Sequence, residues 1–175
     1  MKTIKEMPAM LKFVADAMLG SLARWLRILG YDTIYSKNIS DKEILEYAAR
    51  EGRVVLTRDY GLYRRARKNN LKAVYFETSE IDEMLTILAK RYGISLVIDP
   101  NRTRCPICNS DLKKVSRKEV KGKVPDIVLR EHSDFWICSK CGKVYWKGTH
   151  WITMEKILSK VREQVSRGKG SYGFT

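Results

Sequence analysis

The sequence predicts an α/β protein: a mainly parallel sheet covered by helices on both faces, followed by a small module built on four cysteines. Three observations predict it. From Lys12 to about Pro100, short apolar runs alternate strictly with segments of helical periodicity, the pattern of parallel strands joined by helical crossovers. Glycines at 30, 52 and 93 stand where helical segments should stop. After Pro100 the alternation ends, and two cysteine pairs, a lysine-rich stretch and clustered aromatics take over.

Taken in order, Phe13-Val14-Ala15 reads as a buried strand ending at Asp16. Ser21 to Leu29 reads as a helix with Leu22, Ala23, Leu26 and Leu29 on one face, and Arg24 and Arg27 displaced from it. Thr33-Ile34-Tyr35 is a second strand. Ser40-Asp41-Lys42-Glu43 opens the next helix as a capping box, in which hydroxyl and carboxylate satisfy free N–H groups three residues apart. Val54-Val55-Leu56 is a strand, Tyr60 to Lys68 a helix, Ala73 to Phe76 a strand, and Ile81 to Tyr92 a helix. Leu96-Val97-Ile98 is expected to add a last strand. Trp151, Met154, Ile157 or Leu158, Val161 and Val165 fall at helical spacing, so an amphipathic helix should close the chain. The expected division is an α/β domain over 10–100, a cysteine ribbon over 101–150, the closing helix over 151–167 and a disordered tail over 168–175.

At 175 residues and 44% hydrophobic, the chain can bury a real core and still carry a second module. No run approaches the roughly 18 uncharged apolar residues that a membrane span needs. The first ten residues carry Lys2, Lys5 and Glu6 and lack the apolar stretch of a secretory signal, so a cytoplasmic protein is expected. Charge is unevenly spread. Residues 1–100 hold 17 Lys+Arg against 13 Asp+Glu, and residues 101–175 hold 17 against 7. That basic excess points to a polyanionic partner, nucleic acid above all, against the plainer reading of a lysine-rich soluble surface.

Cys105-Pro-Ile-Cys108 and Cys138-Ser-Lys-Cys141 each have C-x2-C spacing. Two intervening residues let a tight turn present both sulfurs to one ion, and two such turns make a closed tetrahedral thiolate shell for structural Zn2+. An iron–sulfur cluster could use the same ligands, whereas a redox dithiol needs one pair in a thioredoxin-like setting that is missing here. The long stretch between the pairs is expected to form an extended hairpin. His150 reads as a surface or RNA-facing residue. Trp136, Tyr145, Trp146 and Trp151 are open to two readings, packing for a module with little core or stacking on bases beside lysines such as Lys113 and Lys114.

Asp16 and Asp59 both follow strands, at the sheet end where such folds place their sites, and Asp41 and Glu43 begin a helix that can reach the same rim. Converging carboxylates there can hold Mg2+ or Mn2+, activate water and stabilise the charge that develops on a phosphodiester. Each has a structural alternative. Asp59 can cap the helix at Tyr60, Glu43 completes the capping box, and Asp41 suits the positive end of a helix dipole. Asp16 has no cap to make.

The stretch Phe13-Val-Ala-Asp-Ala-Met-Leu-Gly-Ser-Leu-Ala-Arg-Trp-Leu-Arg-Ile-Leu-Gly-Tyr-Asp32 resembles the opening of the PIN-like family known by the carboxy-terminal domain of the Mut-seven exonuclease. Ser40-Asp41, Leu56-Thr-Arg-Asp-Tyr-Gly-Leu62, the paired cysteines and Tyr145-Trp-Lys-Gly-Thr-His150 match its later motifs, so the resemblance covers about residues 10–155. It implies a three-layer α/β/α PIN-like fold with an appended zinc ribbon and a metal-dependent ribonuclease activity. Asp16, Asp41 and Asp59 would be the catalytic carboxylates holding Mg2+ or Mn2+. Arg24, Arg27, Arg58, Lys113 and Lys114 are then candidates for gripping RNA, although Arg24 and Arg27 also suit a plain solvated helix face. PIN nucleases often carry a further aspartate where this chain has Gly61, which implies weaker metal binding. The rival expectation is a non-catalytic RNA-binding module in an rRNA- or tRNA-processing assembly.

Overall fold

The computed structural model describes residues 11–167. Four strands, β1 (Phe13–Ala15), β2 (Thr33–Ile34), β3 (Val54–Thr57) and β4 (Ala73–Tyr75), form one parallel sheet in the order β2-β1-β3-β4. Between them run α1 (Gly20–Ile28), α2 (Asp41–Glu51) and α3 (Tyr60–Lys68), and α4 (Ile81–Tyr92) follows β4. Every residue of β1 and β3 is buried, as a strand sandwiched between helix layers must be.

Side chains alternate across the sheet, and so divide the core in two. One half joins Phe13, Ala15, Val54, Leu56 and Val74 to Leu22 and Leu26 of α1 and to Leu85 and Leu88 of α4. The other joins Val14, Val55 and Ala73 to Ile44 and Ala48 of α2 and to Leu62 and Ala66 of α3. The architecture is therefore α/β/α. The capping box at Ser40 and Glu43 forms in both directions, and Gly52 ends α2 in the left-handed conformation at φ 65°.

Two expectations are corrected. Leu96–Ile98 makes no strand: Ile94 and Ile98 turn into the core while Ser95 N donates to the Tyr31 hydroxyl and Leu96 O accepts from Arg162. With those backbone groups held by side chains, no ladder forms. The stretch between the cysteine pairs is also no extended hairpin. It contains β5 (Leu112–Val115) and two short helices, α5 (Arg117–Val120) and α6 (Asp126–Glu131). A second capping box, Ser116 with Glu119, starts α5, and Val120 buries beneath it with Val115 and Phe135.

β5, β6 (Phe135–Cys138) and β7 (Val144–Trp146) form an antiparallel sheet in that order. The chain then enters α7 (Thr149–Arg167), which returns to α4 and buries Leu158 and Val161 in the first half of the core. Thr86 donates to Gln164, and Lys160 pairs with Asp82 at 2.7 Å, so polar contacts flank this helix seam. No described helix is long and apolar enough to cross a membrane. The expected tail over 168–175 lies outside the described residues.

Candidate active site and metal centre

At the carboxyl end of the parallel sheet, Asp16 follows β1 and Thr57 ends β3. The sheet register puts them side by side, since Ala15 pairs with Leu56 and Asp16 N bonds Leu56 O. Asp16 is only 5% exposed, and both its oxygens are held. Oδ2 accepts from the Thr57 hydroxyl at 2.5 Å and from Arg58 N at 2.8 Å, while Oδ1 accepts from Met18 N at 2.8 Å.

The same Thr57 hydroxyl accepts from Asp59 N at 2.8 Å, so one buried oxygen links the segments carrying both aspartates. Asp59 itself is exposed and caps α3, its Oδ1 accepting from Leu62 N at 3.0 Å. A side chain at Gly61 would place its Cβ 3.0 Å from that oxygen, a tight approach, so the missing fourth carboxylate leaves Asp59 uncrowded.

Asp41 is placed differently. It lies exposed in the first turn of α2 and is ion-paired to Arg65 of α3. Among the described residues, Asp16, Asp41 and Asp59 do not make a group whose ligand oxygens converge; the cysteines make the one such group. The rim thus joins Asp16 to Asp59 and leaves Asp41 to Arg65.

The basic candidates also divide. Arg24 is exposed. Arg27, one turn on, is 4% exposed: its guanidinium donates to the carbonyls of Thr33, Pro106 and Ile107 at 3.0–3.1 Å. Arg27 fastens α1 to the first cysteine turn, and burial lowers its pKa from the ordinary guanidinium value. It is unavailable to RNA, which corrects that expectation. Arg58 is half-buried, and its Nε is buried without a partner among the described residues. Lys113 and Lys114 are exposed on β5, with Lys114 paired to Asp134 at 2.7 Å.

The four cysteine sulfurs all lie within 4.8 Å of one another, with Cys105–Cys141 at 3.6 Å and Cys108–Cys138 at 3.3 Å. A tetrahedral shell with metal–sulfur bonds of about 2.3 Å has sulfurs about 3.8 Å apart. The set can therefore hold a metal ion such as zinc. The two turns repeat each other: Asn109 N bonds Cys105 O, Gly142 N bonds Cys138 O, both at 2.9 Å, and both residues are left-handed, at φ 66° and 72°. Burial pushes the Cys138 thiol up to about 12; Cys108, despite its own burial, is brought down to about 6 by hydrogen bonds from Ser110.

A network that motif reading misses ties this centre to the far end of the sheet. Arg53, 5% exposed, grips Asp32 through both oxygens at 2.9 and 3.0 Å and reaches Glu51 and the Phe13 carbonyl. Asn109 then donates to Asp32 at 2.7 Å and accepts from Thr33 N. The one sequence signal was position: Asp32 ends the first motif and Asn109 directly follows the first cysteine pair. Of the aromatics, Trp136 is buried and supports the packing reading. Trp146 and Trp151 line an apolar cleft of about 110 Å³ with Tyr145, Ile28 and Ile98. His150 is exposed.

A family model described as the Mut7-C RNAse domain matches residues 11–158. Comparison with curated proteins and with solved structures gives no match.

Proposed function

The chain belongs to the Mut7-C RNAse domain family, and from that premise we propose that it is a divalent-metal-dependent ribonuclease whose cysteine module, closed by zinc, helps hold the RNA. The observation that carries the reading is Asp16. A nearly buried carboxylate sits at the carboxyl end of a central strand, with fixed donors on both oxygens and an exposed second aspartate tied to it through Thr57.

Mg2+ is usually held by one or two carboxylates, with waters and substrate phosphates completing its shell. Asp16 and Asp59 fit that donor set. A divalent ion there would supply water activation and neutralise charge on the phosphoryl oxygens. The protein's own part is to orient: Thr57 and the backbone N–H groups of Met18 and Arg58 fix the Asp16 carboxylate, and the α3 cap fixes Asp59. Arg24, Arg58, Lys113 and Lys114 are the proposed phosphate contacts.

One observation favours the second reading, a non-catalytic RNA-binding module: Asp41 is engaged by Arg65 rather than gathered with the other two. Cleavage of single-stranded and structured RNA with Mn2+, Mg2+ or EDTA separates the two, comparing wild type with Asp16→Asn. Metal-dependent cleavage that falls by roughly 100-fold or more in the variant is expected. Cleavage that survives EDTA or the substitution overturns the site, and binding without cleavage by the wild type establishes the second reading. Metal analysis of the purified protein should give zinc bound to the cysteines.

A further inference from the structure

The sheet register extends past the two aspartate segments. Thr57 pairs with Tyr75, the last residue of β4, so Asp16, Thr57 and Tyr75 form one row across three adjacent strand ends. Strands lie about 4.8 Å apart, which puts Tyr75 about 10 Å from Asp16. Tyr75 does not stand alone. Its ring centroid is 5.4 Å from that of Tyr60 and 6.0 Å from that of Tyr63, and Tyr60 and Tyr63 are 6.1 Å apart. Three tyrosines thus make one aromatic island immediately beyond Asp59.

The island is open. Tyr60 is 58% exposed, far more than packing against Tyr75 alone requires. It also continues into charge. Tyr60, Tyr63, Arg64 and Arg67 fall at the spacing of one helical face of α3. A shallow surface groove there is lined by Gly61, Tyr63, Arg64, Arg65, Arg67 and Lys68, four cations and no carboxylate. Among the described residues, Arg64, Arg67 and Lys68 make no ion pair, so their charge is not neutralised within the fold.

We propose that this face of α3 is a track for single-stranded RNA, with Tyr60 stacking on a base and Arg64, Arg67 and Lys68 holding the backbone that leads to the Asp16–Asp59 rim. The inference rests on the ribonuclease reading for its direction, but the binding it describes needs neither metal nor cleavage. Stacking on an aromatic face accepts any base and requires that base to be free of a partner. From Tyr60 to Arg67 the helix rises about 10 Å, the length of about three stacked nucleotides. A duplex offers this track phosphates but no base faces, so the tyrosines discriminate strandedness and the cations supply affinity.

The test measures fluorescence anisotropy of a labelled single-stranded RNA of roughly 12 nucleotides, and of the same sequence as a duplex, in EDTA. Tyr60→Ala should weaken single-strand binding by about 5- to 100-fold, Tyr60→Phe should restore it, and duplex binding should change little. Arg64→Ala with Arg67→Ala should lower the slope of log affinity on log salt by about 1.4. Thermal melting of each variant confirms folding, which the exposure of Tyr60 leaves unaffected. Single-strand binding by Tyr60→Ala equal to wild type, an equal loss in Tyr60→Phe, equal losses on duplex, or no RNA binding by wild type each overturns the track. Failure of the catalytic reading looks different: RNA is bound as described, but no metal elicits cleavage.

Discussion

Thr57 donates its hydroxyl proton to Asp16 at 2.5 Å, and both side chains are buried at neighbouring strand ends. That bond, with the one Thr57 accepts from Asp59 N, makes a single hydroxyl answerable for the posture of two carboxylate-bearing segments. Thr57→Val keeps the shape and removes the hydroxyl, leaving Asp16 short of a donor and Asp59 N short of an acceptor. The expected cost is about 1–3 kcal/mol, a fall in Tm of several degrees. RNA cleavage should fall with it, and Thr57→Ser should recover most of both. A Thr57→Val protein with unchanged Tm would refute the bridging role.

Asp41 and Arg65 set a second test. Their pair is half exposed, so its loss should change stability by less than about 1 kcal/mol. Arg65→Ala frees the Asp41 carboxylate without touching Asp16 or Asp59. If Asp41 serves the metal site, the variant should need less Mn2+ for half-maximal cleavage. A metal requirement that stays the same or rises would leave Asp41 a surface ion-pair residue.

Arg53 and Asp32 predict an acid-side dependence. Burial alone would raise the Asp32 carboxyl, but hydrogen bonds from Arg53 and Asn109 outweigh it and hold it below the usual carboxylate range. A depressed folded-state pKa contributes stability that is present above the unfolded value near 3.9. That stability is lost as pH falls through the folded value. Urea denaturation of Arg53→Met should show a loss of about 3 kcal/mol at pH 7. The loss should shrink as pH falls below about 3.9, where Asp32 of the unfolded chain begins to take up its proton and the wild-type advantage fades.

The cysteine centre predicts proton release. With the Cys138 thiol near 12, metal binding at neutral pH must displace at least its proton, so zinc affinity should weaken as pH falls. Competition with a chromophoric chelator across pH 6–8 measures the slope, and a flat profile would contradict it. Cys138→Ser should cost the β5–β7 sheet its hydrogen-exchange protection while β1 and β3 keep theirs. Loss of protection in both sheets would mean that the cysteine module and the parallel sheet fold as one unit.

Much of this molecule can be read from its residues, and the unread part has a physical pattern. Short apolar runs between Ser40, Gly52 and Gly93 announce capped helices and buried strands because those signals are local. Two C-x2-C turns announce their centre for the same reason. Arg27 carries no such signal: on a helical wheel it stands beside Arg24, and only a loop some eighty residues later buries it against Pro106 and Ile107. Leu96-Val97-Ile98 fits a strand as well as a coil, and the Tyr31 hydroxyl on Ser95 N and the Arg162 guanidinium on Leu96 O decided between them. Asp41 has the right residue type and a suitable place, but Arg65 reaches it across a helix pair. Long-range pairing is the information that one-dimensional pattern lacks.

The return of α7 to α4 has a consequence for how the chain matures. Leu158 and Val161 complete a hydrophobic face whose other members, Leu85 and Leu88, emerge from the ribosome much earlier. Until α7 arrives, that face is bare. A chain ending before Thr149 should bind a hydrophobic dye that the longer chain excludes.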